Sequence, residues 1–268
     1  MQNSTGQLIR QWLTVVAVLM AIALNGLSNI FPPAGQNTGE VSNTVLGGVL
    51  ITPAGYAFAI WGLIYIALIA YSIYQALPAQ RNSRALQRVS WSVIGACVFQ
   101  MIWIYFFLTY RFWISVFFML GILLCLAFGY ITTRSVKPTR KVRWLLQAPI
   151  SLYFGWITIA TVLNVAGAIY AMDIPPAEIS GFSGVIAAST GGLVATMVMI
   201  CVSAGIAAIV AWRYRDATYP AVAVWGLVAI ALRNLSLPPL AFICIAMAIG
   251  LGIIITKIKL ALRSPDAV

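Results

Sequence analysis

The run FWISVFFMLGILLCLAFGYI, residues 112–131, contains no charged side chain over twenty consecutive positions. A helix of that length rises about 30 Å, which matches the hydrocarbon thickness of a bilayer. Lipid cannot hydrogen-bond an exposed backbone, so such a run crosses a membrane as an α-helix. The segment therefore predicts a transmembrane helix, and the rest of the chain has to be read with lipid as its solvent.

The composition extends this prediction to the whole chain. Hydrophobic residues make up 62% of the 268 residues and charged residues only 8%, whereas about 25% of a soluble domain is charged. We predict an all-α fold, a polytopic transmembrane helix bundle of eight spans. The seventh span is short and holds Arg233 near its end, so a re-entrant pair with the eighth is an alternative. The predicted spans are Trp12 to Phe31, Ala54 to Leu77, Val89 to Thr109, Phe112 to Ile131, Trp144 to Met172, Val185 to Trp212, Tyr219 to Leu235 and Leu237 to Thr256.

The cations are distributed unevenly between the loops. Only Arg111 and Arg233 fall on one side of the predicted membrane, and the remaining fourteen cations fall on the other. This positive-inside pattern predicts that both termini are cytoplasmic, in a bacterial-type inner (plasma) membrane. We attribute the net charge of +11 to topology and contact with anionic lipids, and expect no nucleic-acid partner. The fourteen are Arg10, Arg81, Arg84, Arg88, Arg134, Lys137, Arg140, Lys141, Arg143, Arg213, Arg215, Lys257, Lys259 and Arg263.

Two segments near the N-terminus allow more than one interpretation. The start of the chain resembles a secretory signal peptide, with Arg10, an apolar run at 13–22 and Ala21-Ile22-Ala23 as a cleavage site, although we favour an uncleaved first helix. The connection from Pro32 to Gly55 has no cation and many turn formers, which predicts an ordered or semi-ordered external loop. A functional loop and an idle one are equally compatible with that pattern.

The residue types that usually perform catalysis are scarce. The chain contains no histidine, and its five carboxylates fall in predicted loops or in the C-terminal tail. Intramembrane enzymes and proton-driven pumps need ionisable groups at membrane depth, so we predict neither an enzyme nor a metal site. The four cysteines each stand alone within a span, which is typical of small packing residues rather than disulfides.

Aromatic and amide side chains recur at helical spacing inside several spans. Span two carries Phe58, Trp61 and Tyr65, and span three carries Gln100, Trp103 and Phe107. Such stripes can line a cavity that stacks a flat ligand against rings and orients it with amide hydrogen bonds. Amides can equally tie neighbouring helices together, while Trp and Tyr near helix ends form interfacial belts. Spacing alone leaves both interpretations open. A further stripe comprises Tyr153, Trp156, Ala160 and Asn164 of span five.

Three of these segments resemble the TspO/MBR family, the tryptophan-rich sensory or translocator proteins. Residues 58–65, FAIWGLIY, resemble its F-x-x-x-W-x-x-x-Y signature. Gln100 and Trp103, followed by two phenylalanines, are similar to its N-x-x-W segment. Residues 149–164 resemble its P-Y-x-x-W-x-x-x-A-T-x-L-N helix. The likeness covers roughly residues 10–172.

This resemblance implies a five-helix core, residues 1–172, followed by an extension of about three spans, residues 173–268. It also implies non-covalent binding of a hydrophobic small molecule such as a tetrapyrrole or porphyrin, in a sensory or carrier role. We expect no covalent cofactor, and a bound tetrapyrrole or lipid. Expected partners are that small molecule, membrane lipids, and a homodimer or membrane-complex partner. The implied ligand-binding residues are Trp61, Tyr65, Gln100, Trp103, Trp156, Ala160 and Asn164.

Two other functions remain open at the level of sequence. In the first, the chain is a secondary transporter of small solutes that uses spans six to eight as a moving element. In the second, it is an accessory subunit of a larger membrane complex. Solute flux in liposomes would identify the transporter, and co-purification from native membranes would identify the subunit.

Overall fold

The computed structural model describes residues 4–173 and 190–261, which form helices and connecting turns without a β-strand. The predicted start of span six at Val185 lies outside these residues, as do Glu178 and Arg263. Short 3₁₀ turns occupy Gly55–Ala59, Pro78–Gln80 and Ala171–Asp173, and Arg143–Gln147 is a π-helical turn. The α-helices in chain order are α1 (Ser4–Ile30), α2 (Thr38–Asn43), α3 (Ile60–Ala76), α4 (Arg84–Leu108), α5 (Phe112–Arg134), α6 (Arg140–Val142), α7 (Ala148–Tyr170), α8 (Thr190–Tyr214), α9 (Thr218–Arg233) and α10 (Pro238–Ala261).

The long helices expose large apolar side chains, as expected for a protein surrounded by lipid. On α5, Phe117 and Leu124 are 67% and 70% exposed, whereas Ile122 and Leu126 on its other face are fully buried. A soluble helix would place polar residues on the outer face. The arrangement confirms the prediction of a polytopic helical membrane bundle.

Seven helices among the described residues are long and apolar enough to cross a membrane. They are Thr5–Ile30, Gly55–Ala76, Arg84–Leu108, Phe112–Arg134, Arg140–Tyr170, Gly192–Tyr214 and Pro238–Ala261. The seventh predicted span differs from these. It forms α9, whose 16 residues extend only about 24 Å, because Asn234 ends the helix and the chain turns directly into α10.

The chain divides into two compact units by packing, and the division into a core and an extension at residue 172 stays a prediction. The first unit combines Met1–Thr38 with Ala59–Ala168, and the second combines Gly39–Phe58 with Ile169–Val268. The connection between α1 and α3 thus belongs to the same unit as the C-terminal helices. No local sequence pattern indicated this grouping.

In the first unit, α4 packs along α5 and against α1, and α1 also packs against α3. The contact between α4 and α5 is close because glycines on each helix face side chains of the other. A methyl group on Gly129 would collide with the Ser92 hydroxyl oxygen, and that hydroxyl donates to the Cys125 carbonyl at 2.6 Å. Small residues that let helices approach in this way are the usual basis of packing in membranes.

In the second unit, α10 packs against α8 and α9, and residues 39–58 are fastened to α9 by hydrogen bonds. The Ala54 amide donates to the Ala229 carbonyl at 3.0 Å, and the Trp225 indole donates to the Ala57 carbonyl at 3.0 Å. Next to α9, the Asn234 side chain donates to the Leu50 carbonyl at 3.0 Å. The connection is ordered, in agreement with the prediction from its turn residues.

Candidate functional site

An aromatic group within the first unit joins α3 to α7. On α3, Trp61 and Tyr65 lie one turn apart, with ring centroids separated by 5.5 Å and planes inclined by 30°. The Trp61 ring also lies 6.1 Å from Tyr153 and 6.5 Å from Trp156 of α7, at angles of 64° and 83°. Such separations and edge-to-face angles are favourable for aromatic pairs. We call these four residues the ring cluster.

Gln100 of α4 contributes the polar component of the ring cluster. It is only 2% exposed, and its side-chain carbonyl accepts a hydrogen bond from the Tyr153 hydroxyl. Its amide nitrogen and the hydroxyl of Tyr65 are both buried, and the two side chains interact with each other without reaching normal hydrogen-bond geometry. An unpaired buried polar group costs about 1–3 kcal/mol, and such groups are rare in native proteins. Within the chain, the Gln100 amide nitrogen and the Tyr65 hydroxyl are therefore only weakly satisfied.

The ring cluster is not equally enclosed on all sides. Tyr153, Trp156 and Gln100 are buried, whereas Trp61 and Tyr65 of α3 are half-buried. Next to them on α3, Leu63 and Ile66 are 56% and 68% exposed. The α3 side of the cluster is thus its accessible side, and the exposed neighbours there are apolar.

Trp103 and Asn164 form a second group with Ser115, which ties α4, α5 and α7 together. The Trp103 indole donates to the Asn164 side-chain carbonyl at 2.9 Å, and the Asn164 amide donates to the Ser115 hydroxyl at 2.9 Å. Trp103 also stacks on Phe107, with 5.1 Å between centroids. Because these polar atoms are satisfied by one another, this group is best explained as a connection between helices.

The predicted site residues therefore fall into different places. Trp61, Tyr65, Gln100 and Trp156 come together, whereas Trp103 and Asn164 belong to the second group. Ala160 lies on α7 one turn from each of Trp156 and Asn164 and is half-buried. The assignment of all seven to ligand binding stays a prediction.

Two participants were missing from the predicted site. Tyr153 belongs to the predicted stripe of span five, but it was not among the seven residues assigned to ligand binding. Ser115 carries a weaker signal, a single hydroxyl in the apolar run of α5. Its pairing with Asn164, 49 positions away, depends on how the helices pack.

Cysteine and acidic residues form no comparable centre. The cysteines at positions 97, 125, 201 and 244 are free thiols. In the described part of the chain, no three acidic or cysteine side chains lie close enough together to hold a metal ion. The ring cluster with Gln100 is consequently the site whose composition points to a ligand.

The exposed apolar helices and the buried aromatic and amide site define an integral membrane protein of the helical bundle class. A sequence model of the TSPO-like protein family matches residues 11–257. The chain belongs to that family, which confirms the resemblance drawn from the three motifs. No curated protein and no solved structure matches the chain.

The family match is longer than the motifs indicated. We expected the likeness to end near residue 172, but the matched region continues to residue 257 and includes α8, α9 and most of α10. The first expectation was too short, because the recognisable aromatic motifs all fall in α3, α4 and α7. The C-terminal helices are within the region that the family shares.

Proposed function

We propose that the protein binds a flat, hydrophobic ring compound of the tetrapyrrole or porphyrin type, non-covalently, at the ring cluster. The observation that carries this proposal is the pair of buried, weakly satisfied polar groups, Gln100 Nε2 and the Tyr65 hydroxyl, which lie together among aromatic rings. An apolar pocket with a few convergent polar groups is the usual form of a small-molecule site. The role would be binding, in a sensory or carrier capacity, rather than catalysis.

Each member of the site has a distinct task in this proposal. Trp61, which is half-buried, supplies a ring face against which a flat ligand can stack. The Gln100 amide donates to a carbonyl or carboxylate oxygen of the ligand, and the Tyr65 hydroxyl donates or accepts. Because the chain has no histidine, the commonest axial ligand for haem iron is missing. Stacking and hydrogen bonding are sufficient for a metal-free ring.

The test is a titration of the purified protein with protoporphyrin IX, followed by the change in porphyrin absorbance. Trp61→Leu removes the half-buried ring, and we expect binding to weaken by about tenfold or more, since an aromatic contact and its area contribute about 1–3 kcal/mol. Trp113→Leu is the matched control, because Trp113 is 51% exposed on α5. Porphyrin absorbance is preferable to tryptophan fluorescence, since each variant changes the number of tryptophans.

A second variant examines the polar groups separately. Gln100→Leu is close in volume but lacks the amide, so it should weaken protoporphyrin binding while leaving a more apolar ring compound less affected. The proposal fails if the parent protein and both variants bind protoporphyrin equally. In that event, solute flux in liposomes and co-purification from native membranes decide between the transporter and the complex subunit.

We also propose that both termini are cytoplasmic in an inner (plasma) membrane. The support is the charge pattern, because Arg213 in the last turn of α8 and Lys257 near the end of α10 share a side only if α9 crosses the membrane. A crossing of about 24 Å requires local thinning of the bilayer, which costs a fraction of a kcal/mol per Å. The distribution of Lys and Arg outweighs that cost.

A further inference from the structure

A guanidinium group is buried near the start of α1. It belongs to the first compact unit, as the ring cluster does, but lies far from that cluster along the helices. Arg10 is only 3% exposed. Its Nη1 donates to the Ser90 hydroxyl at 2.7 Å and makes longer contacts of 3.5 Å to Gln75 Oε1 and the Leu86 carbonyl. Its Nε and Nη2 are buried and have no hydrogen-bond partner. Part of the charged group is therefore unsatisfied.

The surroundings of Arg10 supply no compensating charge. Residues 1–38 and 59–168, the two stretches of its compact unit, contain no aspartate or glutamate. The side chains around it are neutral: Gln75, Ser90 and Tyr71, whose hydroxyl lies 3.2 Å from the Ser90 hydroxyl. A buried charge is costly unless an opposite charge accompanies it. The missing anion must come from outside this unit.

Other positive groups converge on the same place. The half-buried Arg81 donates from Nε to Gln11 Oε1 at 3.3 Å, and Gln11 is anchored to the Gln75 carbonyl at 2.7 Å. Helix α4 begins beside them, with Ser83 as its N-cap. The N-terminus of a helix carries a partial positive charge and free amide groups, which favour anions. Two guanidinium groups and a helix N-terminus thus lie together.

Nearby tryptophans indicate the depth of this cluster relative to the bilayer. Trp12 follows Arg10 by two residues and is 60% exposed, and Trp91 follows Ser90 directly and is 56% exposed. Exposed tryptophans of membrane helices concentrate at the level of the lipid headgroups. A phosphate of a membrane lipid is the anion most abundant at that depth.

We propose that Arg10, Arg81 and the N-terminus of α4 form a binding site for a phosphate group, either the phosphodiester of an anionic lipid headgroup or free phosphate. The planar guanidinium can pair two of its N–H groups with two phosphate oxygens. Arg10 Nε and Nη2 are such a pair. This site is separate from the ring cluster, so it stands or falls independently of the porphyrin proposal.

The test compares three additions to the full-length protein purified in a neutral detergent. They are dioleoyl phosphatidylglycerol, dioleoylglycerol with the same acyl chains but no phosphate, and inorganic phosphate balanced by chloride. The readouts are the thermal unfolding midpoint and retained lipid by native mass spectrometry. We expect phosphatidylglycerol to stabilise the parent protein and dioleoylglycerol to have no effect. If inorganic phosphate stabilises the protein as well, the site binds free anions. If phosphatidylglycerol stabilises it and inorganic phosphate does not, the site binds a lipid headgroup.

Variants identify the residues that bind the phosphate group. Arg10→Met should weaken binding of phosphatidylglycerol by about 10-fold to 100-fold, the loss expected when charge-assisted hydrogen bonds worth about 1.5–3 kcal/mol are removed. Without added lipid, the same variant should be no less stable than the parent, because an uncompensated buried charge has been removed. A purely structural role for Arg10 would instead lower stability in both conditions.

Two further variants keep the test decisive if Arg10→Met does not fold. Arg81→Gln changes a half-buried side chain at the edge of the site, and Arg88→Gln removes the same charge from an exposed position on α4. We expect weaker lipid binding for Arg81→Gln than for Arg88→Gln. Equal lipid binding by these two variants, or unchanged binding by Arg10→Met, would overturn the proposal.

Discussion

Arg233 offers the most direct test of how the connection between α1 and α3 is held. Its guanidinium donates to the Asn43 side-chain carbonyl at 2.5 Å and makes longer contacts of 3.5 and 3.4 Å to the carbonyls of Pro53 and Gly47. All of these groups belong to the second compact unit. One cation therefore bridges the beginning, middle and end of residues 43–53.

The expected effect of Arg233→Met follows from these distances. A well-formed hydrogen bond from a charged group contributes about 1.5–3 kcal/mol. Here one contact is short, two are at the limit, and the side chain is half-buried, so solvent screening reduces the effect. We expect about 1–1.5 kcal/mol, which corresponds to a roughly tenfold rise in local opening. The remaining hydrogen bonds to Ala229 and Trp225 should keep the connection attached to α9.

Hydrogen exchange resolved by mass spectrometry measures this opening directly, because protection of the amides in residues 39–58 reports the local free energy. Arg213→Met serves as the control, since Arg213 is an exposed cation of the same unit. Arg233→Lys should restore part of the protection through a single contact. The reasoning is refuted if exchange in residues 39–58 is unchanged by Arg233→Met, or if the Arg213 control produces the same increase.

Three other expectations can be checked on the same material. Gly129→Ala should lower stability by about 1–3 kcal/mol in thermal unfolding, because its new methyl group meets the Ser92 hydroxyl. The control Gly62→Ala, with nothing within 4 Å of the new methyl group, should be neutral or stabilising. Equal effects of the two variants would contradict the close contact of α4 and α5. Asn164→Leu should lower the unfolding midpoint by leaving the buried Trp103 indole unpaired, a loss of about 1–3 kcal/mol, and an unchanged midpoint would show that this group does not tie the helices together. A fluorescent protein fused to the C-terminus should fluoresce if that terminus is cytoplasmic, while a periplasmic C-terminus, detected with a secreted-enzyme fusion, would mean that α9 does not cross.

The sequence alone determined the class of protein and the positions of most helices. An uncharged run such as residues 112–131 forms a helix in lipid because every backbone group left without a hydrogen bond there would cost free energy. That cost arises within the segment itself and does not depend on the other helices. Helical spacing also placed Trp61 next to Tyr65 and Trp156 in line with Asn164. These are properties of one helix at a time, so no knowledge of packing was needed.

Only the tertiary structure decided which helix faces contact one another. Trp61 joins Tyr153 and Trp156, whereas Trp103 pairs with Asn164 and Ser115, and the spacing within each helix could not distinguish the two groups. In the same way, residues 39–58 are fastened to α9 through backbone carbonyls, which carry no sequence signal of their own. Contacts between distant helices depend on rotation and depth in the bundle, and apolar helices of similar composition fix neither quantity by themselves.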